Sequence, residues 1–323
     1  MKDMFFNISF GAKPDIKYTI SGDTMNKDDS ININPINSPF RYAGGKFYAR
    51  KLIVEHIPPH AYYIEPFAGG ASIFFFKPKI KYNWLNDIDN ELINCYKIIR
   101  DHPEKLIKFL KGLPATKEKH TYFKNNFKPE NDLEKAGRWF YLNRTSYSGI
   151  MKPVNCYFGY GDKYSMRPEN WPLHIWRCST KLQTVKLTCY DFEKVISSAP
   201  QNSFLFIDPP YYNSDQDKFY THNFGHDDHE RLARILKSYK NKFKFMITYD
   251  NAEEIKSLYS WCKMQLEKEW NYTLNRTDDQ TKKTSKKGLR YKGKELFILN
   301  YNSNGGIDLF AQQNRAEEIA SRR

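Results

Sequence analysis

The sequence lacks the features that mark several common classes of protein. Its five cysteines are scattered and form no CxxC pair, so the pattern indicates neither a zinc site nor a disulfide framework, and a reducing compartment is expected. No run approaches the roughly 18 apolar residues of a membrane span. The amino-terminal residues contain no long apolar segment of the kind that a signal peptide needs. We therefore expect a cytoplasmic protein that neither crosses a membrane nor holds a metal.

Two phosphate-binding patterns are also missing, and acidic residues are comparatively few. The chain has neither GxGxxG nor GK[ST], which disfavours a nicotinamide dehydrogenase and a phosphate loop. Lys and Arg number 51 against 37 Asp and Glu, for a formal net charge of +14. Such an excess favours a polyanionic partner, nucleic acid above all. A genome that codes for many Lys and Asn residues is the alternative explanation.

The order of apolar and turn-forming segments predicts an α/β fold. Residues 1–34 are polar and show no sustained period, which is typical of a weakly ordered arm. A strand at Ala61–Ile64 ends at Pro66, a Gly-Gly turn opens a helix, and a second strand reaches Leu85 before an acidic helix start. This order of a strand, a glycine turn, a helix, a second strand and an acidic residue is typical of the first half of a doubly wound sheet.

The middle of the chain interrupts this pattern. Residues 101–185 are rich in lysine and aromatic residues, helical at first and irregular later. Such a shift in composition is typical of an inserted domain. We predict a catalytic domain of residues 35–100 and 186–303, a mainly helical inserted domain of residues 101–185, and a carboxy-terminal tail of residues 304–323.

The glycine turn and a later carboxylate predict a cofactor site. Gly69 and Gly70 follow a strand and precede a helix, so the backbone can approach a ligand closely. Asp87 comes 22 residues after Glu65, where doubly wound folds bind ribose hydroxyls, although capping of the next helix is an equal alternative. Lys46 can pair with a ligand carboxylate. A small ligand that contains both a ribose and a carboxylate is S-adenosylmethionine.

An acid and an aromatic residue after a later strand add to this site. Asp191 can accept a hydrogen bond from an adenine amine while the Phe192 ring stacks on the base. Ordinary core packing is the alternative for Phe192.

The apolar strand Phe204–Ile207 ends in Asp208-Pro209-Pro210-Tyr211. An exocyclic amine of a nucleobase is a weak nucleophile because its lone pair is delocalised into the ring. Asp208 and the Pro209 carbonyl can each accept one N–H of such an amine, Tyr211 can stack on the ring, and the prolines hold the backbone. A base inside a duplex must be flipped out to reach this site. A strand-ending turn with a helix-capping acid is the alternative for the isolated motif.

These motifs together resemble a known family, the Dam-type (alpha-group) DNA adenine-N(6) methyltransferases. Five segments occur in the family's order: SPFRYAGGK, EPFAGGAS, NDIDNELI, YDF and DPPYY. The segments YLNRTSYSGI, FGHDDHERLARIL and MITYDN are also similar, and the resemblance runs from about residue 37 to 301. The resemblance implies a Rossmann-like, S-adenosylmethionine-dependent methyltransferase sheet with an inserted target-recognition domain. It also implies a site-specific enzyme that methylates a flipped adenine in duplex DNA, in a bacterial nucleoid or a phage-infected cell.

Residue roles follow from the resemblance, position by position. The implied catalytic residues are Asp208, Pro209, Pro210 and Tyr211. The implied cofactor-binding residues are Tyr42, Lys46, Phe67, Ala68, Gly69, Gly70, Asp87, Asp191 and Phe192. The chain departs from the family after NRTSYSG, where Lys152 occupies the place at which GATC-reading members usually carry an arginine. Because lysine and arginine differ at a guanine edge, the resemblance leaves the target sequence open.

Basic and aromatic residues predict the DNA-facing surface. Arg144, Tyr147 and Lys152 are candidates for DNA contact in the irregular part of the insert. A loop before the last strand carries eight Lys and Arg residues among Ser, Thr and Gly, including Lys286 and Arg290. This composition suits phosphate contact, with a solvated hairpin loop as the alternative.

Two other functions stay open at this point. The same chemistry can act on an rRNA adenine, and a decayed relative can bind nucleic acid without catalysis. The intact DPPY motif and Lys46 favour an enzyme over the second alternative. The expected partners are double-stranded DNA and a cognate restriction endonuclease, with the protein itself a monomer or a weak dimer.

Overall fold

The computed structural model describes residues 19–20, 23–24, 35–42, 44–161, 165–213, 222, 224–271 and 292–306. The chain divides into two compact units, Met1–Ile33 and Asn34–Arg323. In the first unit, the two-residue strands Thr19–Ile20 and Asp23–Thr24 pair antiparallel. Most of the predicted amino-terminal arm, and the predicted tail beyond residue 306, lie outside the described residues.

The larger unit is built on a seven-stranded sheet. Its strands, in chain order, are β1 Tyr62–Glu65, β2 Tyr82–Asn86, β3 Lys186–Thr188, β4 Ser203–Ile207, β5 Lys244–Asp250, β6 Met264–Asn271 and β7 Lys292–Leu299. Their spatial order is β3-β2-β1-β4-β5-β7-β6. The first five strands run parallel, and β6 and β7 form an antiparallel hairpin at one edge. The strand order changes direction between β1 and β4, which is where doubly wound folds bind ligands.

Ten α-helices occur in the described part of the chain. They are α1 Arg50–Val54, α2 Ser72–Phe76, α3 Asn90–Asp101, α4 Pro103–Leu110, α5 Lys117–Asn125, α6 Asp132–Thr145, α7 Trp171–Leu182, α8 Phe192–Ser198, α9 His226–Ser238 and α10 Glu253–Leu258. Several of these helices have a polar N-cap residue. The side chains of Asp89, Thr116, Asn131 and Asp191 each accept hydrogen bonds from backbone N–H groups of the first turn. These bonds satisfy donors that have no partner inside the helix.

The sequence predicted this order of elements, with shifts at the ends. The predicted strands at 61–64 and up to residue 85 are β1 and β2, each displaced by one residue. The helix predicted from Tyr48 to His56 is the shorter α1, because residues 46–49 form turns. The predicted final hairpin is confirmed, although β6 begins at Met264 rather than at Glu269.

The sheet is buried on both faces. In β4 every residue is buried, and Phe204 and Phe206 pack into an apolar cluster with residues of α2 and α3. Leu205 and Ile207 pack into a second cluster with residues of α8, α9 and α10. This alternation explains why β4 has no polar face, since parallel strands in doubly wound sheets are covered by helices on both sides.

The helices of the insert share a core with the sheet. Phe123, Trp139 and Trp171 belong to the same apolar cluster as Leu85 of β2 and Leu92 of α3. The insert is mainly helical, as predicted, through α4 to α7. Its limits at residues 101 and 185 stay a prediction, because the compact unit that contains it extends over the whole sheet.

The insert is joined to the amino-terminal RYAGGK segment by a buried amide. The Asn143 side chain accepts from the Arg41 N–H at 2.9 Å and donates to the Arg41 carbonyl at 2.8 Å. It also donates to the Gly149 carbonyl at 3.2 Å. Gly149 has a φ of +73°, and a Cβ there would lie 2.2 Å from the Arg41 carbonyl oxygen. The two segments therefore touch only because residue 149 has no side chain.

We expect Gly149→Ala to lower the free energy of unfolding by roughly 3 kcal/mol, because the substitution combines a left-handed backbone with a clash against a backbone atom. Urea unfolding followed by circular dichroism measures this loss. Gly161→Ala is the matched control, since a Cβ there would have no neighbour within 4 Å, and we expect it to change stability by less than about 0.5 kcal/mol. Equal unfolding midpoints for the two variants would contradict the prediction.

Candidate active site

The predicted site residues meet at the carboxyl ends of the parallel strands. β1 ends at Glu65, which is buried with 1% exposure. Its carboxylate accepts from the Tyr63 hydroxyl at 2.7 Å and from the Phe74 N–H, in the first turn of α2, at 2.9 Å. Burial raises the pKa of Glu65 to about 8, against the effect of these two hydrogen bonds. The acid at the end of β1 therefore anchors the start of the helix that follows the glycine turn.

The glycine turn is held by three hydrogen bonds from other segments. The Ala68 N–H donates to the Asn86 carbonyl at 2.8 Å, and the Gly69 N–H donates to Asp87 Oδ2 at 2.8 Å. The Tyr96 hydroxyl donates to the Gly69 carbonyl at 2.8 Å. Gly69 has a φ of +45°, and a Cβ there would lie 2.9 Å from the Tyr42 ring. Tyr42 therefore covers the turn, which brings two predicted cofactor segments into contact.

Asp87 lies beneath this turn and is only 8% exposed. Besides Gly69, its carboxylate accepts from the Asp89 N–H at 3.0 Å. The N-cap of α3 is Asp89 rather than Asp87, since the Asp89 side chain accepts from Glu91 and Leu92. Burial raises the pKa of Asp87 to about 6, although the two backbone N–H groups oppose the rise. A contact between Asp87 and a ribose stays a prediction.

Asn86 was not singled out from the sequence, yet it ties three strand ends together. Its side-chain NH₂ donates to the Pro66 carbonyl at 3.0 Å and to the Tyr190 carbonyl at 2.9 Å. Its side-chain oxygen accepts from the Thr188 hydroxyl at 2.7 Å and from the Tyr190 N–H at 2.8 Å. Its position directly before Asp87, at the end of a strand, was the only sequence signal that pointed to it.

An aromatic cluster lies beside the glycine turn. The Phe67 and Phe192 rings stack at 5.4 Å between centroids, and Phe224 lies 5.5 Å from Phe67 and 5.7 Å from Phe192. Asp191 accepts from the Glu193 N–H at 2.8 Å and forms an ion pair with Arg231 at 3.2 Å. Phe67, Asp191 and Phe192 therefore lie together, and the Asp191 carboxylate is engaged by α8 and α9. Their contact with a cofactor stays a prediction.

Lys46 and Asp208 form a close ion pair. Lys46 Nζ lies 2.7 Å from Asp208 Oδ1 and 2.9 Å from Oδ2, and it donates to the Gly44 carbonyl at 3.0 Å. The Thr248 hydroxyl donates to Asp208 Oδ1 at 2.7 Å. The ammonium, 4% exposed, thus has a carboxylate of the protein as its partner, where the sequence suggested a carboxylate of a ligand.

The turn after Asp208 is fixed from the end of β5. The Asp250 carboxylate accepts from the Tyr212 N–H at 2.9 Å and from the Asn213 N–H at 3.1 Å. The Tyr211 ring lies 4.8 Å from the Lys46 ammonium and 6.3 Å from the Tyr249 ring. Pro209 is buried and Pro210 half-buried. Asp208, Pro209, Pro210 and Tyr211 therefore form one rigid edge beside Lys46.

A second buried carboxylate faces this edge from the antiparallel strand β7. Glu295 is 1% exposed, and its Oε2 lies 4.0 Å from Lys46 Nζ. Burial raises the pKa of Glu295 to about 7, while the Lys46 ammonium and the Tyr211 hydroxyl oppose the rise. Sequence reasoning missed this residue because the alternating pattern of a strand carries no motif for it.

The predicted DNA-facing residues differ in their exposure. Tyr147 is 44% exposed, with Val154 at 66% and Tyr157 at 62% nearby along the chain, and Lys152 is half-buried. Arg144 is 5% exposed, and one of its NH₂ groups points to the Pro39 carbonyl at 3.5 Å. Burial lowers the pKa of Arg144 to about 10. The predicted contact of Arg144 with DNA therefore does not agree with its place in the interior. Lys286 and Arg290 lie outside the described residues.

The exposed tip of the insert is shaped by a short pairing of backbone segments. The Tyr147 N–H donates to the Tyr157 carbonyl at 2.8 Å, the Gly159 N–H donates to the Thr145 carbonyl at 2.9 Å, and Ser146 and Phe158 form an antiparallel bridge. Tyr147, Lys152 and Tyr157 are thus presented by one folded loop.

Neither a metal-binding cluster nor a membrane-spanning helix occurs in the described ranges. No group of three His, Cys, Asp or Glu side chains there is arranged to hold a metal ion. No helix in that part of the chain is long and apolar enough to cross a membrane. The five cysteines are free thiols, three of them buried.

Comparison with known proteins places these features in a family. The family model of D12 class N6 adenine-specific DNA methyltransferases matches residues 42–274. The DNA N-6-adenine-methyltransferase of Escherichia phage P1 is 30% identical over 237 residues, which cover 69% of this chain and 31% of that protein. The Type II methyltransferase M1.LlaDCHI of Lactococcus lactis subsp. cremoris is 26% identical over 294 residues, 84% of this chain and 97% of that protein.

A viral relative supports the same assignment. The Type II methyltransferase M.CviBI of Paramecium bursaria Chlorella virus NC1A is 30% identical over 251 residues, which cover 73% of this chain and 91% of that protein. The chain thus spans about a third of the phage P1 protein but most of the other two relatives. The matched family region contains the glycine turn, Asp87, the insert and the Asp208 edge. The chain belongs to the D12 class of N6 adenine-specific DNA methyltransferases.

Proposed function

We propose that the protein transfers a methyl group from S-adenosylmethionine to the N6 amine of an adenine that is flipped out of duplex DNA at a specific sequence. The observation that carries the proposal is the Asp208-Pro209-Pro210-Tyr211 edge, set at the carboxyl end of β4 beside the glycine turn. Family membership supports the reaction and the class of substrate. The base sequence around the adenine is left open.

The described residues fit S-adenosylmethionine. Gly69 and Gly70 let the turn pack directly against Tyr42, because a Cβ at either position would lie within about 3.0 Å of that residue. A glycine backbone can also approach a ligand closely. The Asp87 carboxylate accepts two backbone N–H bonds, and an ionised carboxylate has about four acceptor sites, so two are left for ribose hydroxyls. The aromatic faces of Phe67 and Phe192 suit an adenine ring. When bound, the cofactor supplies an electrophilic methyl group.

Asp208 and its neighbours supply the orientation that the amine needs. The Asp208 carboxylate can accept one N–H of the adenine and the Pro209 carbonyl the other, which leaves the nitrogen lone pair directed away from both. Thr248 and Asp250 hold the carboxylate and the following turn in place. The Tyr211 ring can stack on the base. Positioning of this kind lowers the barrier because the acceptors are already oriented before the reaction.

The exposed loop of the insert supports DNA as the substrate. Tyr147 and Tyr157 present aromatic faces, and Lys152 adds a cation on the same loop. The net charge of +14 provides long-range attraction to phosphates. Lys286 and Arg290 stay candidates for phosphate contact on sequence grounds alone.

Three expectations about the protein's setting are part of the proposal. It acts in the cytoplasm of a bacterium or a virus-infected cell, as a monomer or weak dimer. A cognate restriction endonuclease is a candidate partner, since two relatives carry the name Type II methyltransferase.

We expect Asp208→Ala and Asp208→Asn to reduce methyl transfer at least about 100-fold, because the amine loses its oriented acceptor in the first variant and the negative charge of that acceptor in the second. The measurement is incorporation of labelled methyl groups into genomic DNA, followed by sequencing of the methylated positions. DNA affinity, measured by fluorescence anisotropy, should change less than about threefold, since Asp208 is partly buried and not a phosphate ligand.

Asp227→Asn, at an exposed position in the first turn of α9, is the control and should keep wild-type activity. Near-normal turnover of either Asp208 variant would contradict the proposed role of Asp208 as an acceptor for the adenine amine. Incorporation into rRNA but not into DNA would favour the RNA alternative and overturn DNA as the substrate.

We expect DNA affinity to fall steeply with salt, because each neutralised phosphate releases counterions. Lys152→Ala should reduce the slope of log K against log salt by about 0.9, the contribution of one phosphate contact. Anisotropy titrations at several salt concentrations measure it. Lys240→Ala is the matched control, since this exposed lysine precedes the amino end of β5, away from the site. An affinity that does not depend on salt would argue against DNA binding.

A further inference from the structure

The Lys46 ammonium lies between two carboxylates at unequal distances. It contacts both oxygens of Asp208 at 2.7 and 2.9 Å, whereas Glu295 Oε2 is 4.0 Å away. All three side chains come from different segments, and Lys46 and Glu295 are almost completely buried. An ammonium in such a place has two alternative partners.

Glu295 occupies an unfavourable position unless a cation approaches it. It is the cross-strand neighbour of Asp250 on β5 and of Lys268 on β6, and like charges directly opposite each other destabilise a sheet. Neither of its oxygens accepts a hydrogen bond of standard geometry from the described residues. A buried carboxylate without full hydrogen bonding costs free energy. The Lys46 ammonium and the Tyr211 hydroxyl both lower the pKa of Glu295 and so offset part of this cost, and of the two only Lys46 carries a charge.

The proposed chemistry requires Asp208 to change partners. Asp208 Oδ1 already accepts from Thr248 and contacts Lys46, and Oδ2 also contacts Lys46. An ammonium is a stronger donor to a carboxylate than the neutral amine of an adenine. The amine therefore competes poorly for Asp208 until the ammonium has another carboxylate to bind.

We propose that Glu295 is a positioning residue that takes the Lys46 ammonium while Asp208 accepts the N–H of the substrate adenine. The inference rests on the proposed function and adds a residue to its mechanism. A shift of Nζ by about 1.2 Å brings it from 4.0 Å to the usual length of a charged hydrogen bond to Glu295. The ammonium then stays paired in the interior, and Asp208 regains its acceptor capacity beside the amine.

The exchange depends on the charge of Glu295, which gives it a pH dependence. Burial raises the pKa of Glu295 to about 7. The carboxylates of Asp208 and Asp250 also raise this pKa, whereas the Lys46 ammonium and the Tyr211 hydroxyl lower it. Lys268 is the charged neighbour on the remaining strand. Below this pKa the carboxyl group is neutral and attracts the ammonium weakly, so Lys46 stays on Asp208. Above it the carboxylate attracts the ammonium, so turnover should increase as pH rises through about 7.

The test is Glu295→Gln in the full chain, assayed for methyl transfer to DNA between pH 6 and 9. Because glutamine keeps the shape but not the charge, we expect kcat at pH 8.5 to fall about 10- to 100-fold, with KM for DNA and cofactor changed less than about threefold. The rise of kcat through pH 7 should disappear. Glu295→Asp retains the charge, so this variant should keep part of the wild-type kcat and its increase through pH 7.

Glu267→Gln is the matched control, because Glu267 is an exposed glutamate on β6 that pairs with Lys256, and it should keep the wild-type rate and pH profile. Wild-type kcat and an unchanged rise in Glu295→Gln would overturn the inference while leaving the proposed function intact. If the wild-type chain transfers no methyl group to DNA, the proposed function itself is wrong. If Glu295→Gln fails to fold, Glu295→Asp provides the test instead. Loss of the increase in kcat through pH 7 in that variant overturns the inference, and retention of the increase supports it.

Discussion

Lys46 and Asp208 are 162 residues apart in the sequence, and their ion pair joins the amino-terminal segment to the end of β4. Removing an ammonium from water is costly unless a carboxylate and further hydrogen bonds receive it. Here the receiving groups are the Asp208 carboxylate and the Gly44 carbonyl. Because RYAGGK must approach β4 to satisfy this cation, the glycine turn, the Asp208-Pro209-Pro210-Tyr211 edge and the start of the chain's larger unit are positioned together.

Around this pair, the site is a set of polar groups that hold each other in place. Asn86 links the ends of β1, β2 and β3, and Asp250 fixes the turn after Asp208. Asn143 joins the insert to the same amino-terminal segment. Buried polar groups of this kind are tolerated only when nearly all of them are paired. The network therefore couples the positions of the glycine turn, the Asp208 edge and the insert.

The sequence was informative where one residue type is required by local chemistry. The residues that meet at the strand ends were predicted from the prolines after β4, the glycines in the turn and the acid after β2, since strand ends and close backbone approaches favour those residue types. The roles of these residues toward a cofactor and a base stay predictions. The same reasoning gave no role to Thr248, although that residue lies in the MITYDN segment, and it did not single out Glu295, which lies on a strand without a motif. It also assigned Arg144 to the DNA-facing surface, whereas Arg144 is 5% exposed and one of its NH₂ groups points to the Pro39 carbonyl, 105 residues earlier in the chain.

By itself, the sequence determined the alternation of strands and helices, the doubly wound class and the residues of the glycine and DPPY motifs, because hydrophobic period and turn chemistry act over a few neighbouring residues. Only the tertiary structure decided which charges meet. The pairing of Lys46 with Asp208, the approach of Glu295 and the burial of Arg144 depend on strand order and on the packing of the insert against the sheet. Those are contacts between residues far apart in the chain, and no local pattern records them.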